Sequence, residues 1–211
     1  FQSIISVDCE TSSLNPIDAE LVGVSFSCDT NEAFYIPIAH KNFKNLSKDL
    51  VIRKIKKVLE DTSIKKVGQN IKYDLMIFQK YGINVKPIED TMLLSYTLDA
   101  GNNRHNMDLL SELHLNHKTI SYKEIVGSGK KQLNFSEVNL EDATKYAAED
   151  ADITLRLYNV LKSRVDSEKL NKIYEVFEKP MVYLLSKIEM NGIKIDDAYL
   201  KKLSKKFEER L

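Results

Sequence analysis

The segment Ile4-Ile5-Ser6-Val7-Asp8-Cys9-Glu10 ends a short apolar run with two carboxylates. Such a run reads as a β-strand of buried type, and side chains two apart on a strand share a face. Asp8 and Glu10 therefore stand side by side and repel each other unless something positive lies between them. A divalent cation with oxygen ligands meets that need. A solvated acidic strand end meets it as well, and the pair alone leaves both readings open.

Two further sites bear on the choice. Asp74 lies in Val67-Gly68-Gln69-Asn70-Ile71-Lys72-Tyr73-Asp74, where a short strand turns into a helix. Tyr146 and Asp150 lie in Tyr146-Ala147-Ala148-Glu149-Asp150, inside a long helical pattern whose i, i+4 spacing puts both on one face. An acid pair, a third acid, and a tyrosine with a fourth acid resemble the DEDDy class of 3′→5′ exonucleases. The motifs of that class are Asp-x-Glu, a distant Asp, and Tyr-x-x-x-Asp. The blocks around these motifs are similar to the proofreading domain of bacterial DNA polymerase I (family A). They are Asp8 to Leu14, Tyr35-Ile36-Pro37-Ile38-Ala39-His40, Val67 to Asp74, and Asp90-Thr91-Met92-Leu93. Arg104-His105-Asn106-Met107-Asp108, His117-Lys118-Thr119-Ile120 and Tyr146 to Asp152 follow. They come in the family's order and cover nearly the whole chain. Cys9 stands where the family usually has threonine; strand alternation turns it from the acids, so it is expected to affect packing rather than chemistry.

The resemblance implies an α/β, ribonuclease H-like fold: a mixed β-sheet flanked by helices, with a C-terminal helical segment. It implies hydrolysis of phosphodiesters, releasing deoxynucleoside monophosphates from single-stranded or frayed DNA 3′ ends. That chemistry needs an activated water and stabilisation of charge at phosphorus and at the leaving oxygen, which two divalent ions about 4 Å apart supply. Hard ions, Mg²⁺ or Mn²⁺, suit carboxylate oxygens. By the family pattern Asp8 bridges both ions, Glu10 and Asp150 complete the first, and Asp74 holds the second largely through water. Tyr146 orients the attacking water; a phenol with pKa near ~10 is a poor general base at neutral pH. Leu14 and Tyr122 match positions that wedge or stack against terminal bases, and Arg104 one near the scissile phosphate. Thr11, Gln69, Asn70 and Tyr73 match positions that help hold the strand. Ile188 to Asp196 resembles the start of a family A polymerase domain. Residues 1–170 are thus expected to form the exonuclease domain and 171–211 the truncated beginning of a covalently linked polymerase domain.

Composition sets bounds around this reading. The chain has 211 residues, 43% hydrophobic and 29% charged, as suits one large soluble domain or one domain with an appendage. Lys plus Arg and Asp plus Glu are 31 each, so the basic excess common in nucleic-acid binders is missing overall. Local charge is uneven. Residues 48–72 hold eight Lys/Arg against three Asp/Glu, and residues 137–155 hold one Lys against six Asp/Glu. A basic surface beside an acidic site suits a substrate gripped by its phosphates; ordinary solvated helix faces are the alternative for any one lysine. Cys9 and Cys28 form no Cys-x-x-Cys, which points to reduced thiols and a cytoplasmic location. No apolar run approaches the ~20 residues of a membrane span. His114-x-x-His117 has no cysteine nearby and reads as incidental rather than as a zinc site. Phosphate-binding loops of the Gly-x-x-x-x-Gly-Lys and Gly-x-Gly-x-x-Gly types and the Gly-x-Ser-x-Gly elbow are all missing. The chain opens at Phe1 within a strand pattern, as if cut there.

Periodicity and turn residues predict strands over 3–9, 20–27 and 32–38 in an antiparallel meander. They predict a helix over 48–61 burying Val51, Ile55, Val58 and Leu59, a strand at 65–68, and a helix from about Asn70 to Tyr81. Helices are expected from Asp90 to Leu98 and Asn106 to Leu115, with Asp90 and Asn106 as N-caps. Residues 121–136 read as a mobile basic loop. A long helix follows from Asn139 to about 166, then one from Met181 to Met190, an extended stretch to Asp196 and a last basic helix. Phe135 is read as packing, and Glu149 and Asp152 as solvated. Two other functions compete. A ribonuclease D-like RNA exonuclease fits the motifs, but the polymerase-like residues 180–196 argue against it. A catalytically silent DNA-binding or structural module goes with lost carboxylates, whereas all four and the tyrosine are present.

Overall fold

Alternation along the first strand sets the layers of the molecule. The computed structural model describes residues 3–210, so the strand pattern at Phe1 lies outside the described residues. In β1 (Ser3–Thr11), Val7 and Cys9 enter one core cluster, while Ser6, Asp8 and Glu10 face the other way. β2 (Leu21–Asp29) and β3 (Glu32–Pro37) complete the expected antiparallel meander. α1 (Lys48–Leu59) follows, capped by Ser47, and buries Val51, Ile55 and Leu59. Val58 departs from expectation: it is 38% exposed, at the edge of the apolar stripe.

β4 (Ile64–Gly68) pairs parallel with β1 over Ser3–Ser6 and then gives way to α2 (Ile71–Lys80). Gly68 makes this turn possible, since a Cβ there would lie 2.8 Å from Ile71. β5 (Ile88–Asp90), a strand the sequence did not suggest, pairs parallel with β4 and runs directly into α3 (Thr91–Asp99). The sheet order is β3-β2-β1-β4-β5. α4 (Met107–Leu115) begins after Asn106, whose side chain makes no capping bond. The expected loop at 121–136 contains a short helix, α5 (Tyr122–Val126), and 3₁₀ turns at Gly129–Lys131 and Phe135–Glu137. Capping boxes at Ser121/Glu124 and Asn134/Glu137 hold this stretch.

α6 (Leu140–Ser167), capped by Asn139, crosses the second face of the sheet. The Ser6 hydroxyl donates to the Ala151 carbonyl at 2.7 Å, which pins α6 to β1 beside the acids. Leu94, Leu110, Ile153, Leu157 and Leu161 form the core under α3, α4 and α6. The chain then forms α7 (Asn171–Ile173), a π-helical turn at Tyr174–Glu178, α8 (Lys179–Asn191) and α9 (Asp197–Glu208). No described helix is long and apolar enough to cross a membrane.

The basic stretch at 48–72 is less of a free surface than its composition suggests. Lys66 is fully buried and donates to the carbonyls of Asp61, Ile64 and Lys86. Lys65 and Lys72 pair with Glu89 and Glu189.

Candidate active site

β1 and β4 part after Ser6, and that divergence leaves the end of β1 with free backbone groups. The Cys9 N–H donates to Asp74 Oδ1 at 2.9 Å, bringing the first turn of α2 to the acid pair. From the other side, α6 delivers Asp150 and Tyr146. Carboxylate oxygens of Asp8, Glu10 and Asp150 all lie within 4.8 Å of one another, a spacing that could hold a metal ion. Among the described residues no other group of His, Cys, Asp or Glu does so. Asp74 stands next to this trio, one oxygen committed to the backbone of Cys9.

Electrostatics mark the cluster as incomplete. Burial pushes Asp8 up to about 6. Glu10 is raised well above the usual range by burial, then by Asp8, Asp150 and Asp74. Burial and then Asp8 raise Asp74 and Asp150, opposed by the Cys9 hydrogen bonds at the first and the Tyr146 hydroxyl at the second. Glu10 Oε1 is buried with no hydrogen-bond partner. A buried oxygen without a donor is costly, and a cation would complete it. Burial raises Tyr146 far above an ordinary phenol, ahead of the Asp150 and Glu10 charges.

A cleft of about 610 Å³ opens over these groups. Its lining brings together Thr11, Leu14, Gln69, Asn70, Tyr73 and Tyr122, and also Ser13, Asn106 and Met107. The last two lie in the block Arg104 to Asp108, so their signal was present in the sequence. Leu14 is 89% exposed. The turn that presents it is braced by Thr11 and Tyr73, both of which donate to the Ser13 carbonyl, at 3.1 and 2.5 Å. Asn70 is left-handed (φ 59°) with its side chain uncommitted, because Asp90 caps α2 in its place. The Gln69 amide bridges the His105 carbonyl and the Thr91 hydroxyl, tying the walls together. Tyr122 lies parallel to the buried Phe135 at 6.4 Å and edge-on to Tyr146 at 6.0 Å.

Several placements differ from expectation. Arg104 is exposed and lines a neighbouring hollow with Tyr96 and His105, not the carboxylate cleft. Glu149 is not solvated: it accepts from the Ile120 N–H at 2.6 Å and pairs with His117 Nε2 at 2.8 Å. Asp152 accepts from the Asn31 N–H and from Arg156. Cys9 packs in the core as expected, but its N–H holds Asp74, and its thiol is pushed up by burial and by Asp74.

Comparison with known proteins sharpens the picture. The family model described as 3′-5′ exonuclease matches residues 2–166. The chain belongs to the 3′–5′ exonuclease family of DNA polymerase I. DNA polymerase I of Rhizobium leguminosarum is 41% identical over 221 residues, covering 95% of this chain and 22% of that protein. The chain thus spans about a fifth of that relative's length. Among solved structures, Brucella melitensis NrnC with bound Mg²⁺ superposes with a TM-score of 0.70 at 25% identity, over 90% of this chain and 86% of that one. Pol1 from M. smegmatis, in complex with DNA primer-template and dNTP, gives 0.77 at 17% identity, over 99% of this chain and 32% of that one. The mixed sheet flanked by helices is the ribonuclease H-like fold of these exonucleases.

Proposed function

We propose that this exonuclease domain is of the DEDDy type and removes deoxynucleoside monophosphates from single-stranded or frayed DNA 3′ ends. In a parent chain it would serve as the proofreading part of a cytoplasmic DNA polymerase I, in replication and repair. The boundary falls near residue 170, and residues 171–211 begin a linked polymerase domain; the family match ending at 166 supports this division.

The observation that carries the reading is the trio Asp8, Glu10 and Asp150 with the partnerless Glu10 Oε1. Oxygen-only donors suit Mg²⁺ or Mn²⁺, and bound Mg²⁺ in the Brucella relative supports the choice. Asp8, Glu10 and Asp150 would hold one ion, and Asp8 with Asp74 a second. When bound, the ions activate water and stabilise the charge that develops on phosphate and leaving oxygen. Asp74 is already held by the Cys9 N–H, which suits a looser, water-mediated grip on the ion. Tyr146 keeps its proton at any working pH, so its hydroxyl positions the attacking water rather than deprotonating it.

Leu14 projects into the cleft as a wedge, and Tyr122 offers a ring face to a terminal base. Such stacking tolerates any sequence, as an editing nuclease requires. The free Asn70 amide is placed to meet the sugar–phosphate chain. Thr11, Gln69 and Tyr73 act by holding the walls, and Arg104 would meet the strand further out, in the adjoining hollow.

The test is degradation of 5′-labelled single-stranded DNA and RNA with Mg²⁺, Mn²⁺ or EDTA. Stepwise loss of DNA from the 3′ end, abolished by EDTA, is expected. Preference for RNA would favour a ribonuclease D-like enzyme, and metal-independent DNA binding without cleavage a silent module.

A further inference from the structure

The block His117-Lys118-Thr119-Ile120 has no part in the chemistry above, yet side chains of two helices are committed to it. Residues 116–121 have no regular structure of their own. The Ser111 hydroxyl donates to the His117 carbonyl and the Thr119 hydroxyl donates to Asp108, both at 2.8 Å. The His117 N–H also donates to the Ser111 carbonyl at 3.3 Å. Glu149 on α6 supplies two further ties, one oxygen taking the Ile120 N–H at 2.6 Å and the other meeting His117 Nε2 at 2.8 Å. Glu149 lies between Tyr146 and Asp150 in sequence, three residues after the tyrosine. Tyr122 follows Ile120 by two residues and sets its ring edge-on to Tyr146.

We propose that Glu149 is a positioning residue: its carboxylate ties Ile120, and through it the Tyr122 ring, to the helix that carries Tyr146 and Asp150. The ring that stacks on the terminal base and the groups that meet the scissile phosphate then share one rigid support. An 18% exposed carboxylate with both oxygens engaged is well suited to this, because little solvent competes for its bonds. The purpose assigned to the tie rests on the reading of Tyr122 as a base-stacking side chain.

The experiment separates the tie from its purpose. The sequence has no tryptophan, so Tyr122→Trp places a single fluorophore at the ring position. In that background Glu149→Ala should raise acrylamide quenching about twofold and lower the emission anisotropy. Glu149→Gln, which keeps an acceptor for the Ile120 N–H, should stay near the parent. His117→Ala, a milder change, should move both signals in the same direction by less. Fluorescence unchanged in both Glu149→Ala and His117→Ala overturns the tie. In the otherwise native chain with Mg²⁺, Glu149→Ala should raise KM for a single-stranded 3′ end about fivefold, leaving kcat and the half-saturating Mg²⁺ concentration within about twofold. Combined with Tyr122→Ala it should add nothing further, since both act through one contact. Additive losses, or a shifted Mg²⁺ dependence, would overturn the proposal by placing the effect elsewhere, the latter on Asp150. If Tyr122→Ala leaves KM unchanged while the fluorescence responds, the stacking reading fails and the tie stands.

Discussion

Asp90 and Glu10 are both buried acids, 1% and 6% exposed, near the C-terminal ends of β5 and β1, which flank β4 and both run parallel to it. Asp90 is surrounded by donors. It takes the N–H groups of Asn70 and Ile71 at the start of α2 (3.2 and 2.9 Å) and of Met92 and Leu93 in α3 (2.9 and 3.3 Å). One carboxylate thus caps two helices and sits at the positive end of both dipoles. Burial still pushes it up to about 6, but all four N–H groups oppose the rise. At Glu10 nothing opposes it: burial, Asp8, Asp150 and Asp74 all raise its pKa, and one oxygen has no partner. The depth of burial is similar, and the supply of donors is not. An acid completed by backbone is a structural part, whereas an acid left open among other acids is waiting for a cation.

The sharpest way to break this contrast is to remove one acid from each region. Asp8→Ala should abolish cleavage, with single-turnover rates down at least about 10⁴-fold, equivalent to more than about 5 kcal/mol. Thermal stability in EDTA should not fall, because a repelling charge has gone. Retained metal-dependent cleavage would take Asp8 out of the site. Asp90→Ala should do the reverse. It strands two helix N-termini and should cost about 2–4 kcal/mol of stability, read as a lower denaturation midpoint. Any loss of activity should be recoverable at low temperature or with stabilising osmolyte. A stable Asp90→Ala protein with no activity would move Asp90 from the scaffold to the chemistry.

The contrast also explains what the sequence could and could not reveal. The meander and α6 were legible because each rests on local signals: alternation, turn residues and an Asn cap. The four acids were grouped by their resemblance to the DEDDy motifs; local spacing joined only Asp8 with Glu10 and Tyr146 with Asp150. Asp90 was legible as the cap of α3, but its second role at α2 depends on β5, three residues long and formed only by pairing with β4. α5 was hidden because Gly127 and Gly129 dominate the stretch, although Ser121 and Glu124 carried a capping-box signature. Glu149 and Asp152 looked solvated because their partners, Ile120 and Asn31, lie 29 and 121 residues away. Arg104 was legible as part of a block, but its position outside the cleft depends on how residues 100–106 cross the surface.

A smaller effect is expected at the tyrosine that bridges chemistry and scaffold. Tyr146→Phe keeps the ring against Tyr122 and Phe135 and removes only the hydroxyl. If that hydroxyl positions water, single-turnover cleavage should fall about 10- to 100-fold, or roughly 1.4–2.7 kcal/mol, with stability unchanged. An unaltered rate would make Tyr146 part of the packing, like Phe135.

The smallest effect sets the two regions against each other directly, through pH. Without metal, Asp8 titrates near about 6, with Glu10, Asp74 and Asp150 also raised; unfolded Asp and Glu titrate near ~4. From about pH 4 upward the native state therefore binds more protons than the unfolded chain, and stability declines as pH rises through the folded values. Mg²⁺ takes the place of those protons, so its stabilisation should be weak at pH 5.5 and larger at pH 8. With the ion at about ten times its Kd, the gain is about 1.4 kcal/mol, or roughly 3–6 °C in Tm for a domain of this size. Asp90 titrates near about 6 as well. It is satisfied with or without the ion, so its contribution cancels between melts in Mg²⁺ and in EDTA. The pH dependence of that difference belongs to the open cluster alone and should flatten in Asp8→Ala. A Tm gain from Mg²⁺ that is equal at both pH values would mean the ion does not displace protons from these acids, and the distinction drawn between Glu10 and Asp90 would lose its physical basis.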